Sequence, residues 1–131
     1  MIGLDTNVLA RYFTQDDESQ AAKASRLIGR CSSENPCYIN LIVLAELFWL
    51  LDSRYKYDRS QQFALLQNML QLDDLIIEAS DDVYIALKQF GANTVQLADC
   101  LIAVRNQRAE CETSYTFDKS AGKMSGFELI R

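Results

Sequence analysis

The sequence predicts an α/β fold, because short apolar runs alternate with amphipathic segments, capping residues stand at the helix starts, and turn residues fill the joints. Ile2–Leu4 reads as a short strand that ends at Asp5, and Thr6–Phe13 follows as a helix. Asp16-Asp17-Glu18 is an acidic helix start, continued by Ala21, Ala24, Leu27 and Ile28 at helical spacing. Ser32–Pro36 is a turn cluster, Cys37–Ile39 a second strand, and Asn40 can cap the next helix. Leu41–Leu51 is apolar almost all round and is expected to be a buried helix. Asp58 opens another helix, with Phe63, Leu66, Met69 and Leu70 directed inward. Leu75–Ile77 is a third strand. Ser80-Asp81 opens a helix that runs through Phe90 and is expected to stop at Gly91. Val95–Gln107 is the next helix, Ser114–Phe117 a fourth strand and Phe127–Ile130 a fifth. Short strands of this kind belong in a mainly parallel sheet with helices on both faces, where ligands sit beyond the carboxyl ends of the strands. Asp5 and Asp118 both fall at that end of their strands.

At 131 residues, with no repeat, linker or low-complexity stretch, the chain is expected to be a single domain, 1–131. It contains no histidine, which excludes Ser-His and Cys-His catalysis and every His-containing zinc site. The cysteines, Cys31, Cys37, Cys100 and Cys111, form no Cys-x-x-Cys pair and are read as reduced, mostly core residues. The opening residues have no basic and apolar leader pattern, and the longest apolar stretch is too short for a bilayer and contains Glu46. The expectation is therefore a soluble, cytoplasmic protein. A sequence pI near 4.6 argues against a module that holds nucleic acid by a broad basic face.

Four carboxylates stand in unusual places. Glu46 lies within Ile42-Val43-Leu44-Ala45-Glu46-Leu47-Phe48-Trp49, so its helical neighbours are apolar. A buried carboxylate must be protonated, paired or metal-bound; the plainer reading is a partly exposed Glu that meets a nearby cation. Asp99 repeats the pattern in Leu97-Ala98-Asp99-Cys100-Leu101-Ile102, or else caps a helix that starts later. Taken alone, Asp5 reads as an N-cap and Asp118 as an Asx-turn residue. Converging on one strand-end cleft, the four would repel one another and favour Mg²⁺ or Mn²⁺, which prefer oxygen ligands. These four residues account for all but one of the net charges of −5, and two divalent ions would cancel them. Such ions supply the positive charge a phosphate needs and can activate water against a phosphodiester.

At these residues the chain resembles the PIN-domain ribonucleases, in particular the VapC-type toxins of type II toxin–antitoxin pairs. Ile2-Gly3-Leu4-Asp5-Thr6-Asn7 matches the first acidic motif, Ala45-Glu46-Leu47-Phe48-Trp49 the second, Ala98-Asp99-Cys100-Leu101 the third and Thr116-Phe117-Asp118-Lys119 the fourth. The resemblance covers essentially the whole chain. It implies a three-layer α/β/α sandwich around a mainly parallel central sheet, and endonucleolytic cleavage of RNA with one or two Mg²⁺ or Mn²⁺ ions. By the same resemblance Asp5, Glu46, Asp99 and Asp118 are the catalytic and metal-binding residues. Asp5 and Asp99 are the most direct ligands, and Thr6, Asn7 and Thr116 support them. It also implies a homodimer and a cognate antitoxin protein as partners. Gly91–Leu97, before the third motif, is less acidic than in many relatives.

Lys119 and Lys123 follow Asp118 and are placed to meet a phosphate, while Arg54 and Lys56 interleave with tyrosines in a segment able to track RNA; each also reads as a solvated loop cation. Two rival functions remain open at this point. One is a non-catalytic domain of the same fold that uses the acidic pocket to bind a partner. The other is a phosphatase or receiver-like domain with a phosphorylated Asp, for which Asn7 stands where a second Asp is often found.

Overall fold

A computed structural model describes residues Met1–Arg131. The chain forms two compact units, Met1–Ser80 and Asp81–Arg131. In the N-terminal unit the strands β1 (Ile2–Gly3), β2 (Cys37–Ile39) and β3 (Leu75–Ile77) form a parallel sheet in the order β1-β2-β3. Its register pairs Ile2 with Cys37, and Cys37 with Leu75. The helices are α1 (Thr6–Thr14), α2 (Glu18–Ile28), α3 (Leu41–Ser53) and α4 (Arg59–Gln71). Parallel strands need crossovers of a dozen or more residues, and the helices supply them.

The helix starts are where the capping residues place them. Asp17 accepts from the Gln20 amide at 3.0 Å, Asn40 from Val43 at 2.9 Å, and Asp58 forms a reciprocal capping box with Gln61. A second carboxylate reaches α3 from outside, for Glu78 Oε1 accepts from the Leu41 amide at 2.8 Å. Leu9, Ile39, Leu44, Leu47, Leu51, Leu66 and Met69 are fully buried. Each such leucine contributes about 1.5–3 kcal/mol of transfer free energy, so this interior fixes where the helices end up.

In the C-terminal unit, α5 (Ser80–Ala92) and α6 (Leu97–Arg108) accompany a two-stranded parallel sheet of β4 (Ser114–Thr116) and β5 (Phe127–Leu129). A short 3₁₀ turn, Ala121–Lys123, lies between the strands. Gly122 sits there because a Cβ would come within 2.9 Å of the Leu129 Cβ. Cys100, Val104, Ala103, Ala121 and Met124 are buried.

The fold is α/β with every strand pair parallel, as the sequence predicts. Three expectations are corrected. The α3 helix is not buried all round: Val43, Leu44, Leu47, Phe48 and Leu51 pack inward, whereas Ile42 (72% exposed), Glu46 and Trp49 (56%) lie outward. The apolar sequence hid this because one helix face exhausts the available core. Gly91 does not stop α5, which runs on to Ala92 while the Asn93 side chain donates to the Gln89 carbonyl at 2.8 Å. Cys31 and Cys37 are joined as a disulfide rather than reduced, their Cα atoms 5.7 Å apart across the Ser32–Pro36 turn. Cys100 and Cys111 are free. No helix is long and apolar enough to cross a membrane.

Candidate active site

Asp5 and Glu46 meet in the N-terminal unit through one residue. Asp5 follows β1 and is the N-cap of α1, its Oδ1 accepting from the Thr6 amide at 2.8 Å. Thr6 is buried, and its hydroxyl donates to Glu46 Oε1 at 3.3 Å. The N-cap and the middle of α3 are thereby tied by a single threonine, while both carboxylates remain exposed. Glu46 meets no lysine or arginine, so the plainer reading of it as half of an ordinary ion pair fails. Asn7 is exposed in the first turn of α1 and lines a groove of about 240 Å³ between α1 and α2 with Arg11, Lys23 and Leu27.

Asp99 and Asp118 both lie in the C-terminal unit, where the charge of Asp118 is felt at Asp99. The first turn of α6 holds Asp99, whose Oδ2 accepts from the Gln96 amide at 3.2 Å. The expectation of a mid-helix Asp is corrected by two residues: α6 begins at Leu97, which makes Asp99 a reciprocal cap of the kind that satisfies orphan amides. Asp118 follows β4. Its Oδ1 accepts from the Ser120 amide at 2.8 Å, and its own amide donates to Thr116 Oγ1 at 3.0 Å. Burial raises the proton affinity of Asp99, and the neighbouring negative charge of Asp118 raises it further. The Gln96 amide opposes both, and the net shift is upward.

None of the three ion pairs in the chain touches these four carboxylates. The cations concerned are Arg11, paired with Asp16, and Arg105 with Arg108, both paired with Asp82. The donor chemistry suits a hard divalent cation, being carboxylate and hydroxyl oxygen without imidazole. The side chains form pairs, however, and no group of three or more acidic or cysteine side chains stands close enough to hold an ion.

Among the cations expected to meet substrate, Lys119 and Lys123 are exposed beside the Asp118 turn and form no ion pair. Arg54 caps the C-terminus of α3 and lies over the Tyr55 ring at 5.6 Å. Eight residues of helix separate it from Glu46, about 12 Å. Lys56 follows in an exposed left-handed turn. The Tyr55 hydroxyl is committed to Asp16 at 2.9 Å, which anchors this loop. Sequence reasoning missed Phe117. The expected fourth strand runs through it, whereas β4 ends at Thr116 and Phe117 is 79% exposed immediately before Asp118; its one signal in the sequence is its position inside the fourth acidic motif.

The profile of the PIN domain family matches residues 2–126 and runs through both units. The chain is a PIN domain. PIN domains are generally metal-dependent nucleases, and they typically bind divalent metal ions. Its α/β architecture with parallel strands is that of the family. Comparison with curated proteins finds no match.

Proposed function

We propose that this PIN domain is a divalent-metal-dependent endoribonuclease, with Asp5, Glu46, Asp99 and Asp118 as its catalytic carboxylates, and that it is the toxin of a toxin–antitoxin pair. The observation that carries the reading is Asp99: a partly buried carboxylate without an ion pair, whose proton affinity burial raises and the charge of Asp118 raises further. A carboxylate so placed calls for a counter-ion from outside the chain.

The four carboxylates are the groups that would hold Mg²⁺ or Mn²⁺. When bound, such an ion supplies a water of lowered pKa and offsets the charge that develops on the phosphate. Thr6 orients Glu46 through its hydroxyl and caps onto Asp5 through its amide. Thr116 fixes the backbone at Asp118. Lys119 and Lys123 attract the phosphodiester, and Asn7 is the remaining polar group of the first motif. Hydrolysis of the P–O3′ bond leaves a 5′-phosphate and a 3′-hydroxyl. A homodimer and an antitoxin that covers the acidic residues belong to the same reading and rest on the resemblance alone.

The test is cleavage of single-stranded RNA in Mg²⁺ or Mn²⁺, in chelator, and by Asp99→Asn. Cleavage that persists in chelator, or in Asp99→Asn at the wild-type rate, overturns the proposal. One observation favours a second reading, a partner-binding domain without catalysis: no three carboxylates are gathered. Under that reading Mn²⁺ leaves the melting temperature unchanged.

A further inference from the structure

We infer that Phe117, the residue directly before Asp118, is a stacking platform for one nucleobase of a single-stranded nucleic acid. The inference rests on the nuclease reading and adds a substrate subsite to it. Phe117 is the most exposed large apolar side chain of the chain, at 79%. Removing a phenyl ring from water is worth about 1.5–3 kcal/mol, so a ring left in solvent forgoes a large stabilisation.

The backbone under the ring is fixed on both sides. On one side the Thr116 carbonyl accepts from the Ile130 amide at 2.8 Å, and its hydroxyl accepts from Asp118. On the other, Asp118 accepts from Ser120. A ring on a fixed backbone stacks at a low entropy cost, because only two side-chain torsions remain to be ordered.

Charge places the occupant. Lys119 is exposed and unpaired one residue beyond Asp118, and Lys123 closes the same turn. Tyr115, 65% exposed, stands within β4 two residues before Phe117, and its register partner across the sheet is Glu128. The exposed lysines Lys119 and Lys123 follow Phe117 in the chain, and they favour a phosphate chain on that side of the ring. Neighbouring Cα atoms are about 3.8 Å apart. A base on Phe117 is thus held one residue along the chain from Asp118. Stacking accepts any base but requires an unpaired one, since a duplex covers its base faces.

The experiment measures binding of fluorescein-labelled oligouridylate and oligoadenylate, about ten nucleotides long, by anisotropy in chelator. A duplex of matching length serves as comparison. Phe117→Ala should weaken single-strand binding roughly 5- to 150-fold, the range for loss of one stacked base. Phe117→Trp should match or exceed the wild type, Phe117→Leu should resemble Phe117→Ala, and duplex binding should not respond. Equal affinity in Phe117→Ala, full affinity in Phe117→Leu, or a wild type that binds neither strand overturns the inference. So does unchanged oligonucleotide affinity with loss of self-association on size exclusion, which would assign the ring to a protein contact. Metal-dependent cleavage and its loss in Asp99→Asn, followed in the same preparations, report on the nuclease reading separately.

Discussion

The two ends of α6 hold aspartates in opposite circumstances. At the C-terminal end, Arg105 and Arg108 donate to Asp82 at 2.7 and 2.6 Å, and the carboxylate is buried. Burial alone would raise its proton affinity, but the hydrogen bonds and charges of Arg108 and Arg105 outweigh it, and the net shift is downward. At the N-terminal end, Asp99 is less buried and sits at the positive pole of the helix. Even so, burial and the charge of Asp118 prevail over the Gln96 amide, and the shift is upward. The same residue type is therefore complete at one end and short of a positive charge at the other. A carboxylate with internal cations is part of the architecture; one without them keeps a charge that nothing in the chain compensates.

The largest test of this contrast is catalytic. Asp99→Asn should lower RNA cleavage at least about a hundredfold, the scale on which a single pre-organised electrostatic group acts. Asp82→Asn, measured at a temperature where it remains folded, should cleave near the wild-type rate. Comparable losses in both variants would erase the distinction.

Metal linkage comes next. Mn²⁺ at a hundred times its dissociation constant should add about 2.7 kcal/mol of stability, read as a rise in melting temperature. That rise should vanish in Asp99→Asn and persist in Asp82→Asn. The complementary loss is in chelator, where Asp82→Asn should cost about 1–3 kcal/mol in chemical denaturation through weakened charge-assisted hydrogen bonds to two arginines. Asp99→Asn should instead be neutral or gain less than about 1 kcal/mol, since it removes a repelled charge and keeps an acceptor for the Gln96 amide.

The smallest effect is in the pH profile of the metal-free protein. The folded pKa of Asp82 is depressed, so its contribution is present above the ordinary carboxylate range and is lost as pH falls through the depressed value. The folded pKa of Asp99 is raised, so its contribution is present in acid and is lost as pH rises through the raised value. Melting temperatures across pH should show Asp82→Asn flattening the loss of stability on the acid side, and Asp99→Asn removing a fall in stability as pH rises toward neutrality. The reverse assignment would refute the contrast.

Much of the local structure was legible in the residues. Asp17, Asn40 and Asp58 cap the helices they precede because a short acceptor side chain can satisfy orphan amides wherever the chain turns into a helix. The strand at Cys37–Ile39 and the one at Leu75–Ile77 fall on the residues read from the sequence. The exposure of α3 was not legible. Periodicity cannot say which side of an apolar helix is covered, and Ile42, Glu46 and Trp49 share the side that is not. The start of α6 was misplaced by two residues because Val95 is buried ahead of the helix and mimics its first apolar position. The Cys31–Cys37 bridge escaped the sequence reading because it depends on where the turn between them returns the chain.

The sequence by itself determined the family and singled out four candidate carboxylates, because the residue types that carry the motifs stand in the chain regardless of how it packs. Tertiary structure alone decided the partners. Thr6 bridges to Glu46 forty residues away, Asp82 is neutralised by the far end of another helix, Asp99 is left under the charge of Asp118 without a cation, and Phe117 stays in solvent. Proton affinity and exposure depend on distances between groups remote in the sequence, and only the packed chain sets those distances.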